Sequence, residues 1–189
     1  TSGSVTITQP ATPVSATISS TPVSCNGGTD GTASATPSGG TAPYTLAWST
    51  TPVQTTTTAT GLSGSSYTLT VTDSKTCTGT ATVTISQSTT LSASVTGTNP
   101  VCNGGSTGTA TVVGAGGSPG YTYSWSTTPA QTAANGTGLS SGTAYGVTVT
   151  DSKTCSASAT ITLTSPSALT ASITSTNPGC NGGTNGTAT

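Results

Sequence analysis

Along most of this chain an apolar side chain falls at every second position, and Thr or Ser fills the positions between. The run YTLTVT sets Tyr67, Leu69 and Val71 on one side of an extended backbone and Thr68, Thr70 and Thr72 on the other, and TATVTIS does the same with Ala81, Val83 and Ile85. Such alternation marks strands with one buried face, because successive side chains of a pleated backbone point to opposite sides. The pattern predicts strands over 11–19, 31–37 with Ala33 and Ala35 inward, 44–49 with Tyr44, Leu46 and Trp48 on one face, 67–73 and 80–86. A Thr-rich stretch at 52–62 holds one or two short strands more. The same order returns with Tyr121, Tyr123, Trp125, Val147, Val149, Ile161 and Leu163 as inward positions. No 3.6-residue apolar stripe interrupts it and β-branched residues dominate, so an all-β fold without helix is expected.

The return is a true repeat. CNGG begins at Cys25, Cys102 and Cys180, WSTTP begins at Trp48 and Trp125, and TVTDSKTC ends at Cys77 and Cys155. The copies are offset by 77 residues until LSGSSY after Leu62 becomes LSSGTAY after Leu139, and by 78 beyond it, as expected of a loop that absorbs one insertion. The expected organisation is tandem β-sandwich repeats of about 78 residues. Residues 1–10 would be the last strand of a preceding repeat, 11–87 repeat 1, 88–165 repeat 2, and 166–189 the start of repeat 3, so the chain reads as a piece of a longer array.

Composition narrows the function. Ser and Thr make up 81 of the 189 residues, His, Arg, Glu, Phe and Met are missing, and the charged side chains are Asp30, Asp73, Asp151, Lys75 and Lys153. No nucleophile, base and orienting group can be assembled from this set, so an enzyme is not expected. Two Lys cannot form the basic patch that a phosphate backbone needs, which argues against nucleic acid. No run approaches the ~20 apolar residues of a membrane-spanning helix. CNGGTDG offers one carboxylate, which CNGGSTG and CNGGTNG do not repeat, so neither a metal nor any cofactor is expected. The two Gly of that motif are read as tight-turn residues of positive φ, and Asp73 and Asp151 as turn residues that cap backbone N–H groups.

Two cysteines per repeat, without His, point to disulfides in an oxidising space. If the Thr-rich stretch supplies one strand, the turns carrying Cys25 and Cys77 share an end of the sandwich, and Cys25–Cys77 and Cys102–Cys155 close within repeats. If it supplies two, the turns lie at opposite ends and Cys25 can reach Cys155 across the junction. The within-repeat pairs are preferred because each copy then closes on itself, with Cys180 unpaired. Tyr44, Trp48, Tyr67, Tyr121, Trp125 and Tyr145 are expected as core aromatics.

The ordered set CNGG, a Gly-containing turn before PYTLAWS or GYTYSWS, TGLS, and YTLTVTDSKTC or YGVTVTDSKTC resembles the SprB-type repeat, a family named for a very large surface adhesin of gliding Bacteroidota. The resemblance covers essentially the whole chain. Many copies in that family read D-x-N-G-C where this chain has Asp73-Ser74-Lys75-Thr76-Cys77. It implies that the sandwiches are tandem immunoglobulin-like (PKD-like) repeats of an extracellular, cell-surface protein exported by the type 9 route, with this segment serving as the stalk of a filament or adhesin in adhesion or gliding. The implied partners are neighbouring repeats of the same chain and other copies in a fibre, with any surface or polysaccharide ligand bound elsewhere in the full protein. The competing expectation is a carbohydrate-binding or ice-binding module acting through Thr-rich and aromatic faces.

Overall fold

A computed structural model describes residue 5 and residues 12–189. Apart from Val5, the segment 1–10 expected to be a preceding repeat's last strand lies outside the described residues. Among the described residues every regular element is a strand. In the first copy these are β1 (Ser15–Thr21), β2 (Gly31–Ser38), β3 (Thr45–Trp48), β4 (Thr58–Leu62), β5 (Ser66–Thr72) and β6 (Thr78–Thr84). The second copy has β7 (Ser92–Thr98), β8 (Gly108–Ala115), β9 (Thr122–Trp125), β10 (Asn135–Leu139), β11 (Ala144–Thr150) and β12 (Ser156–Thr162).

Each copy is a sandwich of two three-stranded antiparallel sheets, ordered β1-β2-β4 and β3-β5-β6 in the first, β7-β8-β10 and β9-β11-β12 in the second. β5 and β6 pair without a break from Ser66↔Thr84 through Thr72↔Thr78, whereas β4 and β10 shift register against β2 and β8. With a side-chain period of two, this register sends Leu69 and Val71 into the core together and keeps Thr80, Thr82 and Thr84 on the wet face. The first core gathers Ala33, Ala35, Leu46, Trp48, Leu69 and Val71, and the second gathers Ala110, Val112, Trp125, Leu139, Val147 and Val149. Small residues let the layers approach closely. At Gly79 a Cβ would meet the Val14 carbonyl oxygen, so β6 runs tight against the start of β1.

The Thr-rich stretch gives one regular strand, β4, but the chain makes an additional pass before it. After β3, residues 49–57 run back along the sandwich without forming a ladder, held by bonds from the Trp48 backbone N–H to the Gln54 carbonyl (2.9 Å) and from Trp48 Nε1 to the Thr56 carbonyl (3.0 Å). Gln54 then acts as a strand-like clamp: its Nε2 donates to the Thr60 carbonyl and its Oε1 accepts from the Thr60 N–H, both at 2.9 Å. Gln131 does the same to Thr137.

The opening of a third copy is also formed. β13 (Ser175–Thr176) pairs with β14 (Thr187–Ala188), and the pairs Ser175↔Ala188 and Thr176↔Thr187 reproduce Gly97↔Ala110 and Thr98↔Thr109 of β7 and β8.

Candidate functional site

The additional pass decides where the cysteines go. Cys25 lies in the turn between β1 and β2, beside the end of β6, where the Val23 N–H donates to the Ser86 carbonyl. Cys77 lies between β5 and β6, beside the β2–β3 turn, where Asp73 Oδ2 accepts from the Thr41 N–H (2.8 Å). Strand β2 separates those two turns, and its eight residues span roughly 26 Å at ~3.3 Å each. The preferred pairs Cys25–Cys77 and Cys102–Cys155 are therefore corrected: a disulfide cannot cross a distance several times its Cα–Cα reach. The structure instead pairs Cys25 with Cys155, at an S–S distance of 2.06 Å and a Cα–Cα distance of 5.6 Å. Cys77, Cys102 and Cys180 are free thiols and exposed. One regular strand in the Thr-rich stretch did not put the turns at one end, because the unladdered pass through 49–57 counts as a crossing.

Cys25–Cys155 joins the far end of the first sandwich to the near end of the second. Around it the junction is hydrogen-bonded. Asn26 Nδ2 donates to the Ser88 carbonyl (2.8 Å), Asn26 Oδ1 accepts from the Thr90 hydroxyl (2.9 Å), and Gln87 Oε1 accepts from the Gly27 N–H (3.0 Å). Asn26 and Gln87 escaped the sequence reading. The signal for Asn26 was present, since Asn follows Cys in all three CNGG copies, but Asn suits any turn and its partner lies 62 residues away. Only the first Gly of the motif has positive φ, +74° at Gly27 and +70° at Gly104. The second closes the turn through its N–H, donated by Gly28 to the Cys25 carbonyl (2.9 Å) and by Gly105 to that of Cys102 (3.1 Å).

Cys155 is presented by a turn built on Asp151, which is buried at 4% exposure. Its Oδ1 accepts from the Lys153 and Cys155 N–H groups at 2.9 Å and its Oδ2 from Ser118 at 2.8 Å. The Ser118 N–H is the chief reason its carboxyl sits below the ordinary value, against the opposing pull of burial. At Asp73 burial is the largest influence and pushes upward, but donors from Thr41, Cys77 and Lys75 together outweigh it and leave that pKa lowered too. Asp30 is also lowered, by its bonds from Ser24. A depressed folded-state pKa stabilises the fold above the unfolded value of about 3.9, and the contribution is lost as pH falls through the lowered folded value. The midpoint of thermal unfolding should therefore be flat from pH 7 to about 5 and drop below about 4. Asp151→Asn should flatten that drop, as calorimetry across the range would read.

In the same turns Thr76 (φ 65°) and Thr154 (φ 67°) adopt left-handed backbone, where a β-branched residue is strained. The Thr154 hydroxyl donates to the neighbouring Lys153 carbonyl (2.6 Å), a partial offset. Left-handed backbone costs an L-residue about 1–2 kcal/mol, and Gly gives back roughly 0.5–1 in chain entropy. Thr154→Gly should stabilise repeat 2 by up to ~1 kcal/mol, read as a higher denaturant midpoint at unchanged slope.

The expected core aromatics divide by depth. Trp48 and Trp125 are 1% and 2% exposed, each donating Nε1 to a carbonyl of the return pass, Thr56 and Ala133. Tyr44 and Tyr121 are half-buried, with hydroxyls donating to Gly39 and Gly116 at 2.6 Å. Tyr67 and Tyr145 are half-buried and accept N–H bonds from Ser63 and Ser140. With both Trp in the core, no Trp face is available to a ligand. Among the described residues no group of three or more His, Cys, Asp or Glu comes together and no helix is long and apolar enough to cross a membrane.

Two segments of the chain, residues 17–52 and 94–129, match the SprB repeat. No curated protein matches the sequence. Among solved structures, the three N-terminal domains of the Highly Immunogenic Outer Capsid protein of bacteriophage RB49 align with 80% of this chain at 19% identity and a TM-score of 0.45. The N-terminal four Ig domains of Dscam1 isoform 9.44 align with 85% at 16% identity and a TM-score of 0.38. This chain spans 58% and 48% of those two chains.

Proposed function

We propose that this chain, which carries two SprB repeats in tandem, is a structural segment of a long extracellular stalk on a cell surface, serving adhesion or gliding and exported by the type 9 route. The observation that carries the reading is the junction. Between β6 and β7 only residues 85–91 intervene, Ile85 among them is buried in the first core, and Gln87, Ser88 and Thr90 are bonded to the CNGG turn. Beside this connection the Cys25–Cys155 bond ties the two facing turns together and opposes their separation. Flexible tethers need unbonded Gly/Ser chain, and this connection has none. The disulfide favours an oxidising space outside the cytoplasm.

Consecutive repeats so joined should behave as a stiff rod. Strands of seven residues are ~23 Å long, and turns at both ends bring each repeat to roughly 35–40 Å of contour. With a formal net charge of -1, screening has little to act on, so the length should not respond to salt. Electron images of the native assembly and small-angle scattering of this chain test the reading together. A straight stalk with that spacing, unchanged between low and high salt, is expected; a coiled contour of variable spacing overturns it. The competing carbohydrate-binding reading has lost its Trp platform and keeps the Thr rows and the half-buried Tyr.

A further inference from the structure

We propose that Cys77 and Cys102 are the two halves of the Cys25–Cys155 staple presented outward, so that each end of the two-repeat unit is a docking face for another copy of the same repeat, locked by a disulfide between a CNGG cysteine and a TDSKTC cysteine.

The two halves are already shaped. Cys102 stands in the same turn as Cys25: Gly104 has φ +70° against +74° at Gly27, and the Gly105 N–H closes on the Cys102 carbonyl as Gly28 does on Cys25. The departing chain is held in the same way, since Asn103 Nδ2 donates to the Pro166 carbonyl at 2.9 Å where Asn26 Nδ2 donates to Ser88 at 2.8 Å. Beyond it the β13–β14 hairpin takes up the register of β7 and β8. At the other end, Cys77 is presented by an Asp73 turn whose bonds to Lys75 (2.9 Å) and Cys77 (2.8 Å) match those of Asp151, with Thr76 left-handed as Thr154 is. What differs is cover. Cys25 and Cys155 are half-buried against each other, while Cys77 and Cys102 are exposed on the repeat equivalents of the two faces that meet at the junction.

The geometry also fixes the pairing rule. A CNGG cysteine sits at the end of a repeat from which the chain departs and a TDSKTC cysteine at the end where it arrives, so stacking head to tail brings opposite types together and keeps like types apart. Each bond forms by thiol–disulfide exchange with the disulfide of an oxidoreductase. One repeat thiolate attacks it to give a mixed disulfide, the second displaces the carrier, and two electrons and two protons leave on the carrier's dithiol.

This inference rests on the stalk reading, and one preparation separates the two. The full protein is isolated from its cells without reductant, free thiols are blocked with iodoacetamide, and disulfide-linked peptides are mapped by mass spectrometry while the same material is imaged. Blocking of Cys77 and Cys102 should be lost as fully as that of Cys25 and Cys155, with Cys77 joined only to CNGG cysteines and Cys102 only to cysteines of the TDSKTC type. Cys77 or Cys102 blocked as free thiols, a CNGG and a TDSKTC cysteine joined within one repeat as in Cys77 to Cys25, or like types joined to each other would overturn the staple rule. A regular stalk in the images with those thiols free would leave the stalk reading standing without it, whereas a coiled contour with the staples present would sink the stalk reading alone.

Discussion

Trp125→Ala is expected to unfold the second repeat while the first stays folded. The indole is 2% exposed, packs beside Val147 and Leu139, and ties β9 to the return pass through Nε1 and the Ala133 carbonyl. Gly136 of β10 packs against the ring, where a Cβ would stand 3.2 Å from the indole. Truncating a buried Trp costs about 3–5 kcal/mol in transfer and cavity energy, and leaving the Ala133 carbonyl without its donor adds about 1 more. The rest of this core is Ala, Val and Leu with half-buried Tyr, so little is present that could collapse into the void. A domain of this size has stability near the low end of 5–15 kcal/mol, and the loss consumes most of it. Trp48 remains as a fluorescence reporter of the first repeat. Its unfolding transition should persist while about half of the far-ultraviolet strand signal disappears; one cooperative transition of both repeats, lowered by a few degrees, would mean the second core does not depend on the indole.

What could be read in the sequence follows from what is local. Alternation put Leu69, Val71 and Trp48 inward because strand geometry has a period of two and nothing in these runs competes with it. The repeat located the inserted loop, where Gly142 now takes positive φ. The path of residues 49–57 was not readable, because Ser-Thr-Thr-Pro-Val-Gln followed by Thr has no periodicity to mark a crossing and is fixed by single bonds to Trp48 and by the side chain of Gln54. The disulfide depended on that path. Two turns rich in Cys, Gly and Asp look alike as stapling partners, and only a count of crossings tells whether they share an end. Asn26 escaped for a related reason: a turn Asn satisfied by its own backbone and one that anchors a linker 62 residues on have the same sequence signature.

Repetition turns that local ambiguity into a rule of assembly. A bond within a repeat would stabilise each copy and leave the junction to seven connecting residues, whereas a bond from one repeat to the next puts a second, covalent strut across it. Small sandwiches with cores of Ala and Val have few kcal/mol to spare, so a strut that also limits the unfolded chain serves both shape and stability.

Cys25→Ser should accordingly change the pair of repeats more than either repeat alone. The staple closes a loop of 130 residues in sequence separation, and the chain-entropy estimate for a loop of that length is about 5 kcal/mol, with measured values more often 2–4. When one repeat unfolds beside a folded neighbour, the staple still confines its roughly seventy loosened residues, which by the same estimate is worth about 4 kcal/mol. Without the bond each repeat opens free of that constraint. The junction keeps the bonds of Asn26 to Ser88 and Thr90 and of Gln87 to Gly27, but the Asp151 turn is no longer tied to the CNGG turn, so the two turns can separate. Two results are expected together in Cys25→Ser and in the wild-type chain under reductant: thermal unfolding moves down and splits into separate transitions for the two repeats, and scattering shows a broadened distribution of inter-repeat angle. Cys77→Ser, which removes an exposed thiol, is the control and should leave both unchanged in the isolated chain. If Cys25→Ser melts as one transition at the wild-type temperature, the staple adds nothing that the connecting side does not already supply, and the stiffness of the stalk has to come from residues 85–91 alone.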